Sequence, residues 1–175
     1  AGHIALNAGI AGGADVILIP EIPYSLKSIS KHIDKIRSQG RNHALIVVAE
    51  AVRKEDGSRA TVKFIDGEVR LGGIGSYLGD KIYKLTNAET RVTVLGHVQR
   101  GAQPTHRDRL ISSAFGVYAV DLVAKEKYNR IVVWQNRGVT DIDLGTIAGK
   151  AKTIKTDDPL IKVAEGLGIY IGELN

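Results

Sequence analysis

The sequence predicts an α/β protein whose parallel sheet is covered by helices on both faces. Short apolar runs at 16–19, 44–49 and 131–134 show no alternation of apolar and polar residues, the pattern of strands buried on both sides. Between them lie longer segments whose apolar residues recur three and four apart, as on one face of a helix. Helix alternating with buried strand is the order of a crossover-connected parallel sheet.

Each element follows from local chemistry. Residues 4–14 are small and apolar, a buried helix that stops at Gly12 and Gly13, where glycine takes the terminal twist cheaply. The strand at 16–19 ends at Pro20, which cannot donate to a ladder. Ser25 caps a helix whose Leu26, Ile29, Ile33 and Ile36 form one stripe, closed by Gly40. Residues 44–49 form the next strand. Residues 52–71 break the rhythm: two short β-prone runs flank Asp66-Gly67, a strong hairpin signal read as an excursion from the sheet. Helix is expected again at 76–85, strand at 91–95, and a long helix at 107–125 with Leu110, Ala114, Val117, Leu122 and Val123 as its apolar positions. The strand at 131–134 follows. Beyond Trp134 the pattern weakens to a helix at 159–166 and a short terminal strand at 169–171.

Composition narrows the function classes. With 175 residues the chain can hold one domain with a hydrophobic core, or parts of two. Apolar residues at 43% and charged residues at 25% are ordinary globular values and exclude disordered and fibrous classes. The absence of Cys removes disulfide scaffolds, thiolate zinc sites and cysteine nucleophiles, and fits a reducing compartment, so a cytoplasmic location is expected. No apolar run approaches the ~20 residues that span a bilayer, and the first residues carry no secretory pattern. No membrane association is expected. Met is absent even at position 1 and the chain opens directly into a helix, so the natural N-terminus is expected upstream. A net charge of +5 calls for an anionic partner. Lys and Arg are scattered, aromatics are 5%, and no zinc-finger or RNP pattern occurs, which argues against nucleic acid.

The densest polar cluster follows the expected strand at 91–95. It comprises His97 and Arg100 in a glycine-bounded turn, with Arg107 and Arg109 beyond. Ligands of parallel sheets sit at the carboxyl ends of strands, and a guanidinium fork, a ring N–H and glycine-exposed amides suit a phosphate. From spacing alone, a solvated turn with a satisfied His competes evenly with that reading. Glu50 ends the strand at 44–49 on the same edge, where a carboxylate accepts hydrogen bonds from sugar hydroxyls or acts as a base. A cap or a surface ion pair is the simpler account of it from physics alone. Residues 72–79 resemble a dinucleotide loop but place Leu78 where Gly or Ala is required, so they are read as a helix start. His3, His32 and His106 show no metal-ligand spacing.

Residues 89–101, ETRVTVLGHVQRG, resemble the most characteristic signature of the phosphofructokinase family. The resemblance is supported in order by Gly2–Leu6, Ala11–Ala14, Ile19-Pro20-Glu21, the strand into Glu50, and Asp108-Arg109. It covers nearly the whole chain and is weakest after Val139. It implies the parallel-sheet three-layer sandwich of phosphofructokinases, incomplete because the N-terminal half is absent. Residues 1–106 would be a sugar-phosphate-binding domain with the excursion at 52–71, residues 107–154 a segment returning to the donor-binding domain, and 155–175 a C-terminal segment.

The implied activity is glycolytic transfer of a phosphoryl group to the 1-hydroxyl of fructose 6-phosphate, giving fructose 1,6-bisphosphate. The resemblance leaves two alternatives: a reversible pyrophosphate-dependent enzyme, and a non-catalytic sugar-phosphate-binding regulatory subunit. It implies that His97 and Arg100 hold the sugar phosphate and that Glu50 hydrogen-bonds the fructose ring. Arg91 would reach the same phosphate in a neighbouring subunit, which makes a homo-oligomer, dimer or tetramer, part of the mechanism. Asp15, Arg41 and His43 stand as candidate effector-site remnants. Gln39 and Asn42 replace two Lys of the family's basic effector run, so regulation by nucleoside diphosphate or phosphoenolpyruvate is expected to be weak. Magnesium and ATP, or pyrophosphate, would be bound mainly by the missing half. No catalytic residue and no metal ligand is expected in this chain, and the isolated piece is expected to be inactive.

Overall fold

The computed structural model describes residues 2–63 and 69–174. The chain forms two compact units, Ala1–Val94 with Lys152–Asn175, and Leu95–Ala151.

The first unit is built on a small parallel sheet. Strand β1 (Val16–Leu18) pairs with β2 (Ile46–Val48) in the register Val16↔Ile46, Ile17↔Val47, Leu18↔Val48. The expected terminal strand is present as a parallel bridge at Tyr170 on the other side of β1, where the Ile17 amide donates to the Tyr170 carbonyl at 2.9 Å. Alternate residues of β1 then face opposite ways. Ile17 and Ile19 pack with Ala5 and Leu6 of α1 (His3–Ala11) and with Ile161 and Ala164 of α5 (Pro159–Gly166). Val16 and Leu18 pack with Leu26, Ile29 and Ile33 of α2 (Leu26–Ser38) and Ile74, Leu78 and Ile82 of α3 (Ile74–Thr86). Helices on both faces of one buried sheet make the three layers that the unalternating apolar strands foretell. Each fully buried Leu or Ile contributes ~1.5–3 kcal/mol relative to exposure.

The stripe of α2 is buried as expected, and Ser25 caps the helix by accepting from the Ser28 amide at 3.3 Å. Helix α1 lies so close to β1 that a Cβ on Gly2 would stand 2.4 Å from Ile19 Cβ, and one on Gly9 would stand 2.5 Å from Ile17 Cγ1. Only glycine permits that approach. The hairpin excursion is formed by β3 (Thr61–Lys63) and β4 (Val69–Leu71), antiparallel with Thr61↔Leu71. Its expected Asp66-Gly67 turn lies outside the described residues.

One expected element is not formed. Residues 91–95 make no strand; Val92, Val94 and Leu95 are exposed. A run of β-prone residues needs a neighbouring strand to satisfy its backbone, and none of the described residues supplies one.

The second unit holds α4 (His106–Ala124) and a hairpin of β5 (Arg130–Gln135) and β6 (Gly138–Asp143). Thr105 and Asp108 form a reciprocal capping box: the Asp108 amide donates to Thr105 Oγ1 at 3.3 Å and the Thr105 amide donates to Asp108 Oδ2 at 2.8 Å. The hairpin closes through Asn136 and Arg137, both left-handed at φ 50° and 63°, the geometry of the two-residue turn that matches strand twist. Strand β6 goes unseen in the sequence because this turn contains no glycine at its centre and the strand is half polar. Tyr118 of α4 donates to Asp141 Oδ1 at 2.7 Å, and Arg130 pairs with the same carboxylate. Leu122 is the one hydrophobic residue of this unit that is buried among the described residues. Residues 95–106 fall in this unit with α4.

Candidate functional site

Since β1 and β2 run parallel, their carboxyl ends share one edge of the sheet, the edge at which ligands of such folds sit. The chain leaves β1 through Ile19 and Pro20 to Glu21, and leaves β2 through Ala49 to Glu50. The Ala49 amide donates to the Leu18 carbonyl at 3.0 Å, and the Val52 amide donates back to the Ala49 carbonyl at 3.1 Å. This turn is anchored by buried Val52 and leaves Glu50 exposed. Glu50 is therefore a solvent-facing carboxylate on a fixed backbone, the arrangement suited to accepting from ligand hydroxyls.

Glu21 is different. Both its oxygens accept from the Gly2 amide at 3.1 Å, and Oε1 also accepts from the Ile154 amide at 3.2 Å. Burial pushes this carboxyl up, but the amides of Gly2 and Ile154 outweigh it and hold the carboxyl below its usual range. In the sequence Glu21 stands only as part of the run Ile19-Pro20-Glu21. Nothing in its spacing points to partners 19 and 133 residues away.

Arg91 belongs to the same unit, in the extended segment after α3. Thr90 Oγ1 donates to the Gly79 carbonyl at 3.3 Å, and Val92 packs so closely on Gly75 that a Cβ there would meet Val92 Cγ1 at 2.9 Å. That contact, together with Gly73 at φ 77° as the residue before α3, accounts for the glycine-rich run at 72–79 as a helix start with close packing. Arg91 itself is 88% exposed and, among the described residues, pairs only with its neighbour Glu89, at 3.0 Å, an exchangeable surface contact.

His97 and Arg100 lie in the second unit, on a 3-10 turn, Gly96–Arg100, closed by the Val98 amide donating to the Leu95 carbonyl and the Gly101 amide to the Val98 carbonyl. In a 3-10 turn, side chains three apart eclipse, so the imidazole and the guanidinium project from the same side. Both are exposed. One turn thus presents two donors that suit a phosphate ester.

Asp15 and Arg41 are brought together at the opposite edge of the sheet. Arg41 binds the Asp15 carboxylate through two nitrogens at 2.6 and 3.0 Å, and the Leu45 amide adds a third donor at 2.8 Å. Burial pushes the Asp15 carboxyl up, but the hydrogen bonds from Arg41 and Leu45 hold it below its usual range. The pair lines a cleft of about 260 Å³ with His32, Lys35 and Gly168. His43 stands apart, exposed, with Nδ1 3.1 Å from Asn42 Oδ1. Among the described residues no group of three His, Asp or Glu could hold a metal ion, and no helix is long and apolar enough to cross a membrane.

A buried parallel sheet with helices on both faces, and polar side chains at its carboxyl edge, defines an α/β protein of the layered class. The chain belongs to the phosphofructokinase family, whose family model, described as Phosphofructokinase, matches residues 1–123. It is 53% identical over 99% of its length to ATP-dependent 6-phosphofructokinase 1 of Nostoc sp., of which it covers 48%. It is 49% identical over 98% of its length to ATP-dependent 6-phosphofructokinase 1 of Synechocystis sp., again covering 48%. Among solved structures it resembles Pichia pastoris phosphofructokinase in the T-state, with a TM-score of 0.64 and 26% identity over 95% of this chain and 18% of that one. The chain spans about half the length of the curated relatives it matches.

Proposed function

We propose that this chain supplies part of the fructose 6-phosphate site of an ATP-dependent 6-phosphofructokinase, which transfers a phosphoryl group to the sugar's 1-hydroxyl. The observation that carries the reading is the 3-10 turn that projects His97 and Arg100 together from within the family's signature. In the proposed site these two hold the 6-phosphate, the guanidinium by two parallel hydrogen bonds and the imidazole by one. Glu50 accepts from the fructose hydroxyls and fixes the ring's orientation. Arg91, free to leave a solvent-exposed partner, reaches the phosphate bound in a neighbouring subunit of a homo-oligomer. Binding and orientation of the acceptor are the chemistry assigned to this half. ATP is favoured over pyrophosphate by the names of the relatives at 53% and 49% identity.

Among the described residues no group of three or more His, Asp or Glu stands together to hold a metal ion. We assign the metal, the donor and the base that accepts the hydroxyl proton to the other half of the enzyme. Residues 1–106 are assigned to the sugar-phosphate domain and 107–154 to the segment that returns to the donor domain. Asp15, Arg41 and His43 are read as remnants of an effector site. The bidentate pair that already neutralises Arg41 supports a weak response to anionic effectors.

The test uses the full-length protein that carries this chain. Arg100→Ala removes charge-assisted hydrogen bonds worth ~2–3 kcal/mol, raising KM for fructose 6-phosphate about 30- to 150-fold with little change in KM for ATP. An unchanged KM for the sugar phosphate sinks the assignment. In the same assay the isolated 175-residue chain gives no turnover.

A further inference from the structure

Three segments distant in sequence meet at the carboxyl end of β1, and one carboxylate joins them. Gly2 opens α1, Glu21 follows β1, and Ile154 lies where the chain re-enters the first unit; the Gly2 and Ile154 amides both donate to Glu21. The junction is stitched again by His3, whose Nε2 lies 2.9 Å from the Lys152 carbonyl. It is also tight, since the space over Gly2 is filled by Ile19 and by Glu21 Oε2, 2.9 Å from where a Cβ would stand. Helix α1 carries this constraint across the sheet. Its Ala5 and Leu6 belong to the core cluster on which Val47 and Ala49 pack, and Ala49 is the residue before Glu50.

A carboxylate half out of water that accepts from two backbone amides through three contacts of 3.1–3.2 Å is not a surface ornament. Unpaired amides at a helix start and at a chain crossing would each need another acceptor, and a neutral side chain of two carbons fewer cannot reach both. The pattern departs from a local cap too, because Glu21 lies 19 residues from Gly2, the N-cap residue of α1 whose amide it holds.

We propose that Glu21 is a positioning residue of the sugar site: its carboxylate sets the start of α1 and the returning segment 152–154 against β1, and through α1 fixes the edge from which Glu50 projects. This rests on the assignment of Glu50 to the fructose hydroxyls. Glu21 itself touches no substrate. Its effect appears as misplacement of Glu50, so it falls on acceptor binding and leaves the donor side alone.

The experiment compares Glu21→Ala, Glu21→Gln and Glu50→Ala, singly and with Glu21→Ala combined with Glu50→Ala, in the full-length protein. Glu21→Ala is expected to raise KM for fructose 6-phosphate by about tenfold, the scale of a displaced binding group, with KM for ATP unchanged. Glu21→Gln keeps an acceptor oxygen that both amides can share, so it recovers most of that loss. The double variant binds the sugar no worse than Glu50→Ala alone, since Glu21 acts through Glu50. Amide exchange gives an independent readout: Gly2 and Ile154 exchange faster in Glu21→Ala, and so does Val52, whose bond to Ala49 closes the Glu50 turn. A lower kcat with unchanged KM means a structural role only and overturns the proposal, as does additivity in the double variant. If the unaltered protein does not phosphorylate fructose 6-phosphate, the function proposed above falls, and exchange at Val52 still decides here. Faster exchange supports the positioning role, and exchange like that of the unaltered protein overturns it.

Discussion

The two compact units differ in how they hold themselves together. In residues 1–94 and 152–175, a two-stranded parallel sheet extended by the bridge at Tyr170 is sealed by helices on both faces, and Ile17 and Ile29 are 0% exposed. In residues 95–151, one helix and one hairpin leave Leu110, Val117, Val120 and Val123 of the same helix in solvent, with Leu122 buried. The second unit is held instead by polar devices: the Thr105–Asp108 capping box, a six-residue hairpin ladder, and Asp141 shared by Tyr118 and Arg130. Apolar burial scales with area and is cooperative, whereas isolated hydrogen bonds contribute only ~0.5–1.5 kcal/mol each. The contrast teaches that helix propensity and capping define the second unit's shape, while core packing defines the first unit's stability.

The largest test of that contrast is a pair of truncations. Ile17→Ala empties a fully buried position and is expected to destabilise the first unit by ~2–5 kcal/mol, whereas Val117→Ala, at a position 67% exposed, stays within ~0.5 kcal/mol. The single Trp of the chain, Trp134, lies in β5. Its fluorescence therefore follows the second unit while far-UV dichroism follows both, and urea should move the Trp134 midpoint first. Coincident midpoints, or equal costs for the two truncations, would erase the distinction.

A smaller effect comes from acid. The folded pKa of Asp15 is depressed below its unfolded value near 4, so its contribution is fully present above about pH 4 and is lost as pH falls through the folded value. Asp15→Asn should cost ~1–3 kcal/mol at neutral pH and flatten the acid limb of the first unit's stability curve. A steep limb that survives in Asp15→Asn, followed by thermal melting between pH 2 and 6, would transfer the effect to other carboxylates. Smallest of all is Glu89→Ala. The Glu89–Arg91 pair is exposed on both sides, and its removal should change the melting midpoint by less than the equivalent of ~0.5 kcal/mol. A larger loss would mean that Arg91 is held in place and is not available to a neighbouring subunit.

The first unit was largely legible. The unalternating runs at β1 and β2, the stripe of α2 and the Ser25 cap are local consequences of burial and capping, and all are present in the structure. The second unit was legible as elements but not as packing: α4 forms with its expected start, yet of its expected apolar positions Leu110, Val117 and Val123 are exposed. The strand expected at 91–95 failed for the same reason, since pairing is a property of two segments and only one was visible. The candidate phosphate turn could be placed from its glycine-bounded His and Arg, but its 3-10 geometry could not. Contacts such as Asp15 with Arg41, or Glu21 with Gly2 and Ile154, join residues 26, 19 and 133 positions apart. No periodicity carries that information.

The first unit is also discontinuous, and this governs how it can be made. Ile154, Ile161, Ala164, Ile169 and Ile171 share a core with Ala5, Leu6 and Ile17, so one face of β1 is covered only in part, by α1, until residues 152–175 have cleared the ribosome. During that interval, while the 57 residues of Leu95–Ala151 are translated, Ile17 and Ile19 are covered by α1 alone and lack Ile161 and Ala164, leaving apolar surface of the nascent sheet open to non-native association.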